Sequence, residues 1–134
     1  MNKASCLCGS VKMQIAKMDK DFGACHCGMC RKWGGGPLLS VDCGQDVKIE
    51  GEVSVYDSSA WAQRGFCKKC GTHLFYRLKA AQKYIIPIGV IEGADSLNFH
   101  HQIFIDSKPA SYTFANETEN STAAEIFAKA KKKS

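Results

Sequence analysis

A chain of 134 residues that is 45% hydrophobic and 23% charged is long enough to bury a core and too apolar for global disorder. No apolar run approaches the roughly 18 residues a membrane span needs, and the start, "MNKASCLCGSVKMQ", lacks the continuous apolar stretch of a secretory signal, so a cytoplasmic protein with no membrane partner is expected. The formal charge of +5 owes much to the ending "AKAKKKS", a basic tail expected to be flexible over about 129–134; no aromatics lie among its lysines, so it reads as a solvated face and not as a nucleic-acid surface.

Strand signals dominate the chain. "SVKMQIAKM" alternates, with Val11, Met13 and Ile15 on one face and Lys12 and Gln14 on the other. "MDKDFG" reads as a turn, "PLLSVD" as a short apolar strand, and "VKIEGEVSVYDS" as two strands around Gly51. "GFCKKCGTHLFYRL" reads as strand, tight knuckle, strand. "KYIIPIGVI" predicts a buried strand in which Pro87 marks an edge position or a bulge, and "HHQIFIDS" predicts another. The adjacent His100 and His101 should then face opposite sides of their strand, which sets them aside as joint ligands. "NSTAAEIFAKAKKK" predicts a C-terminal helix opened by a capping box of Thr122 and Glu125. No internal repeat or Pro/Ser-rich linker interrupts this order, so the expectation is a single domain, 1–134, mainly β, with strands at short intervals that favour packed sheets.

Eight cysteines are many for such a chain. Disulfide scaffolds of that density are usually secreted and shorter, so clustered thiols point to metal binding or reactivity. Seven of them form three groups: Cys6 with Cys8, Cys25 with Cys27 and Cys30, and Cys67 with Cys70. A Cys-x2-Cys knuckle lets two thiolates converge on one tetrahedral metal, with a small residue after the second ligand for the turn. Gly9 and Gly71 stand at those places. Seven sulfurs do not make two four-ligand sites: one metal would be enclosed, and another would have three protein ligands and an open position. Spacing alone permits more than one partition, since Cys27 and Cys30 with Cys67 and Cys70 would also make a four-cysteine site. Cys43 stands apart in a turn and reads as a free, partly buried thiol.

The motifs "CLCGSV", "CHCGMCRK" and "RGFCKKCGTHLF", with "HHQIFIDSKPASY" near the end, together resemble the glutathione-dependent formaldehyde-activating enzyme family over nearly the whole chain. That resemblance implies a partition. Cys6, Cys8, Cys67 and Cys70 match the ligands of a structural zinc, and Cys25, Cys27 and Cys30 match those of a second, catalytic zinc open to partial occupancy. It also implies twisted β-sheets packed as a sandwich of the β-tent type, stapled by the structural Zn²⁺. The activity it implies is that of a carbon–sulfur lyase. Such an enzyme condenses a small-molecule thiol, glutathione or similar, with formaldehyde or another small aldehyde to an S-hydroxymethyl adduct. The alternative is a non-catalytic zinc module that binds thiols, metal or a protein. A methionine sulfoxide reductase, the other reading suggested by fold kinship, needs a nucleophilic cysteine on a later strand, and none follows Cys70.

Residues beside the triplet are candidates for the chemistry. His26, between two ligands, has the unperturbed pKa of a proton shuttle, so it is the candidate catalytic residue. Arg31 and Lys32 are candidate substrate-binding residues, suited to the carboxylates of a glutathione-like molecule. Gly34–Gly36 reads as a turn, Trp33 as a core residue and Arg64 as structural.

Overall fold

Val11, Met13 and Ile15 are buried while Lys12 and Gln14 between them are exposed, the two-residue period of a strand with one wet face. The computed structural model describes residues 1–133, so Ser134 of the expected tail lies outside the described residues, as do the side chains of Lys131, Lys132 and Lys133. In chain order the elements are β1 (Asn2–Ser5), β2 (Lys12–Ile15), β3 (Asp21–Cys25), α1 (Gly28–Gly34), β4 (Leu38–Asp42), β5 (Val47–Glu50) and β6 (Val53–Asp57). There follow β7 (Ala62–Cys67), β8 (His73–Leu78), β9 (Lys83–Pro87), β10 (Asn98–Ile103), β11 (Glu119–Ser121) and α2 (Ala123–Lys133). The protein is therefore mainly β with a short C-terminal helix, and no helix among the described residues is long and apolar enough to cross a membrane.

The described chain gathers into two compact units. The first comprises Met1–Lys20 and Ser40–Leu97. In it β1, β2 and β5 form one antiparallel sheet, while β4, β9, β8, β7 and β6 lie side by side in that order, also antiparallel. Ala4 bridges to Ile91, and the Glu92 N–H donates to the Lys3 carbonyl at 2.8 Å, tying β1 to the segment after β9. Met13, Ile15, Val41, Leu74 and Ile86 are sealed from solvent and make the core. Burying a side chain of this size stabilises by about 1.5–3 kcal/mol.

The second unit comprises Asp21–Leu39 and Asn98–Ser134. Here β10 pairs in parallel with both β3 and β11. Parallel partners need a long connection, and β3 and β10 are accordingly far apart in sequence. Phe22 stacks on Phe99 at 5.1 Å across that pair, and Phe99 meets Phe114 edge-on at 5.1 Å. The capping box of α2 forms as expected: the Thr122 N–H donates to Glu125 Oε1 at 3.0 Å and the Glu125 N–H to Thr122 Oγ1 at 3.2 Å. Phe127 packs edge-on against Phe104 at 5.8 Å.

Four local expectations need correction. The stretch "MDKDFG" is not only a turn, because β3 begins at Asp21. Pro87 is neither at an edge nor in a bulge: β9 is flanked by β4 and β8, and Pro87 is its last residue, opposite Ser40, where the chain leaves the sheet for a single 3₁₀ turn at Ile88–Val90. Gly34, read as part of a turn, is instead the last residue of α1. Finally, His100 and His101 do not diverge. The pairing of β10 with β3 slips between Phe99 and His101, and that bulge breaks the alternation and brings the two Nδ1 atoms to 3.2 Å.

Candidate metal centres

Cys6 and Cys8 lie on the turn between β1 and β2, while Cys67 ends β7 and Cys70 lies on the turn that leads to β8. Both turns are closed in the same way. Gly9 (φ +80°) donates its N–H to the Cys6 carbonyl at 3.1 Å, and Gly71 (φ +77°) donates its own to the Cys67 carbonyl at 2.9 Å. The left-handed conformation costs glycine nothing, which is why each knuckle needs one there. Backbone N–H groups then aim at sulfur, Val11 toward Cys6 Sγ at 3.3 Å and Cys70 toward Cys67 Sγ at 3.4 Å. The two knuckles are joined by the Leu7 N–H, which donates to Thr72 Oγ1 at 3.0 Å.

All four sulfurs lie within 4.8 Å of one another. Tetrahedral zinc with Zn–S near 2.3 Å spaces its sulfurs by about 3.8 Å. Cys6 Sγ is 3.6 Å from Cys8 Sγ, which is 3.8 Å from Cys67 Sγ, so the group fits such an ion without rearrangement. Two hydroxyls complete the surroundings, Ser10 at 3.0 Å from Cys8 Sγ and Thr72 at 3.1 Å from Cys70 Sγ. Neither hydroxyl was singled out in the sequence, yet both follow the knuckle glycine, in "CGS" and "CGT".

The thiols are unequal. The Thr72 hydroxyl and N–H pull the Cys70 thiol down to about 5. Burial resists ionisation of Cys6, but the Val11 N–H and the neighbouring Cys8, Cys67 and Ser10 bring it down to about 7. Cys8 moves up: Ser10 favours its thiolate, but burial and the adjoining Cys6 and Cys70 outweigh that help.

The second group is built differently. Cys25 ends β3, Cys27 is the N-cap of α1, and Cys30 is buried in that helix. The Cys30 N–H donates to Cys27 Sγ at 3.3 Å, so the sulfur takes the place of a capping hydroxyl. The three sulfurs lie within 4.8 Å of one another, and among the described residues no fourth Cys, His, Asp or Glu joins the group. Three convergent thiols suit a soft divalent ion. Cys25 is held far above the ordinary thiol range because its thiolate would face Cys27 and Cys30, a repulsion that a bound cation would relieve.

His26 points inward and is fully buried. Its Nδ1 is 2.9 Å from the Tyr112 hydroxyl and its Nε2 is 2.8 Å from Gln102 Oε1, so neither nitrogen is open to a substrate and the ring reaches the surface through Tyr112. The backbone of His26 is held as firmly: its N–H donates to the Ile103 carbonyl at 3.2 Å, and its carbonyl accepts from Arg31 Nε at 2.9 Å. Arg31 thus spends one donor on the triplet's own backbone, while Lys32 is exposed. Trp33 is half-buried and not a core residue, and Gly35 ends α1 as the turn reading expects. Arg64 is buried in the other unit, over the Tyr76 ring at 4.9 Å, consistent with a structural part. Cys43 is fully buried, and burial pushes its thiol up to about 12. Tyr112 and Gln102 were invisible to sequence reasoning, because nothing local to either residue marks it as a partner of His26.

Residues 1–107 match the family described as glutathione-dependent formaldehyde-activating enzyme. An uncharacterized lyase of Schizosaccharomyces pombe is 32% identical over 128 residues, 93% of each chain. A crystal structure of a Rhodobacter sphaeroides protein shares the fold, with a TM-score of 0.57 at 22% identity over 68% of this chain and 88% of that one.

Proposed function

The chain belongs to the glutathione-dependent formaldehyde-activating enzyme family, and on that premise we propose that it is a carbon–sulfur lyase. Its substrates are a small-molecule thiol, glutathione or similar, and formaldehyde or another small aldehyde, and its product is the S-hydroxymethyl adduct. The observation that carries the reading is that the chain gathers a group of three sulfurs in addition to the group of four. Cys6, Cys8, Cys67 and Cys70 hold a structural zinc; Cys25, Cys27 and Cys30 hold a second.

Zinc held by Cys25, Cys27 and Cys30 would supply a Lewis acid that favours the thiolate form of a thiol. The chain itself does the rest. The end of β3 and the first turn of α1 fix the three sulfurs, and the clamp of Arg31 on the His26 carbonyl holds that junction in shape. Lys32, exposed in the last turn of α1 beside Arg31, is placed to attract a substrate carboxylate. Holding thiol and aldehyde together replaces a bimolecular encounter, which matters because the adduct also forms unaided. His26 contributes through Tyr112 and not by direct contact.

Adduct formation by zinc-loaded protein, followed by NMR exchange between thiol and adduct, tests the reading against a Cys27→Ser variant. Exchange well above the uncatalysed rate, lost in the variant together with one of two zinc ions, is expected. Equal rates in both proteins would leave a zinc-binding module without this activity.

A further inference from the structure

The slip in the pairing of β10 with β3 leaves one residue over. Phe99 opposes Phe22 and His101 opposes Gly23, so His100 between them has no partner on β3. A bulge of this kind re-aims side chains. Here it turns two neighbouring imidazoles toward each other, with His100 Nδ1 3.2 Å from His101 Nδ1 and the ring centres 5.4 Å apart at 70°. Two nitrogens bound at about 2.0–2.1 Å to one ion stand about 3.0 Å apart in an octahedron and about 3.4 Å apart in a tetrahedron. The spacing of the pair lies between those values.

Each ring is also set from behind. A Cβ on Gly23 would collide with His101 Nε2 and Cδ2, so that side of the ring lies against β3 and Nδ1 is the nitrogen turned to His100. Glu119, opposite His101 on β11, brings its Oε2 to 3.7 Å from His100 Nε2. A carboxylate behind a ligating imidazole orients the ring and strengthens it as a donor. The His100 side chain is 38% exposed, so an ion in solution can reach the pair. Among the described residues no third Cys, His, Asp or Glu completes the group, which leaves the remaining positions to water or an external ligand.

We propose that His100 and His101 form a third metal site, sharing no residue with either cysteine group: a two-nitrogen chelate, open to solvent, for a divalent first-row ion, with Glu119 behind His100. Imidazole donors select zinc, nickel and copper over calcium and magnesium, which take oxygen. An ion held by two side chains exchanges readily, unlike one enclosed by four sulfurs. The site stands whether or not the triplet is catalytic.

Nickel is the probe, added at about pH 8, where ordinary histidines are unprotonated, to zinc-loaded full-length protein. Equilibrium dialysis with elemental analysis should find one nickel ion per chain with the zinc content unchanged. His100→Gln and His101→Gln should each weaken nickel binding at least about 10-fold, the lower end of what even an outer-shell partner of a metal is worth. His73→Gln should leave it as it was. In ¹H–¹⁵N spectra of the wild-type protein, which need no variant to fold, nickel should broaden the amides of Gly23, His100 and His101 and spare that of His73. Nickel uptake matched by zinc loss, binding that survives both substitutions, broadening centred elsewhere, or no uptake at all would each overturn the proposal.

Discussion

The two cysteine groups are made of the same ligand chemistry and differ in what surrounds it. The four-sulfur group sits on two glycine-closed turns, each with its own hydroxyl residue and with N–H groups aimed at sulfur. Its negative charge is provided for before any metal arrives, and Cys70 is down at about 5. The triplet spans a strand end and a helix cap, and Cys25 holds its proton tightly. Its surroundings are instead spent on a buried histidine and a tyrosine at the surface. The first arrangement suits permanent retention of an ion, and the second suits a site whose occupancy and outward contacts can change.

The largest expected effect separates the groups by stability. Cys67→Ser should abolish cooperative folding or lower the melting temperature steeply, since a structural zinc contributes on the order of 10 kcal/mol or more of folding free energy. Cys27→Ser should leave the melt nearly unchanged. Thermal unfolding followed by circular dichroism, with zinc measured by elemental analysis, checks both, and comparable melting shifts would break the contrast.

Acid should empty the sites in a fixed order. Above about pH 5 the Cys70 thiol has already lost its proton, so binding metal there displaces fewer protons. The raised Cys25 must surrender a proton at every pH in the working range. Each proton displaced makes affinity rise about tenfold per pH unit, so zinc should leave the triplet at a higher pH than the four-sulfur group as pH falls from 8. Dialysis at stepped pH followed by zinc analysis of wild type and Cys27→Ser reads the order. Simultaneous loss would contradict it.

The smallest effect lies away from both metals. Thr122→Ala removes half of the capping box and should cost about 0.5–1 kcal/mol in chemical denaturation, with zinc content unchanged. A change in zinc content would show that α2 supports the triplet, sharpening the contrast from the other side.

Much of this was legible in the chain because the relevant contacts are local. Cys-x-Cys-Gly and Cys-x2-Cys-Gly place two sulfurs on one turn wherever that turn lies, and Thr122 with Glu125 closes a box within four residues. α1 was hidden because seven residues with glycine at either end carry no readable helical period. The His100–His101 pair was misjudged because alternation assumes an unbroken ladder, and the bulge against β3 is a property of the pairing.

The sequence by itself determined the strand-rich class, the inventory of seven clustered ligands and the turn chemistry that makes each knuckle, since those depend on spacings of two to four residues. Only the tertiary structure decided that Cys6 and Cys8 meet Cys67 and Cys70, and that His26 is closed between Gln102 and Tyr112. Those partners lie about 60 to 90 residues apart, and no local preference encodes which distant turn or strand will arrive beside a given side chain. The packed sheets bring them together, and the burial that comes with packing closes the His26 ring off from solvent.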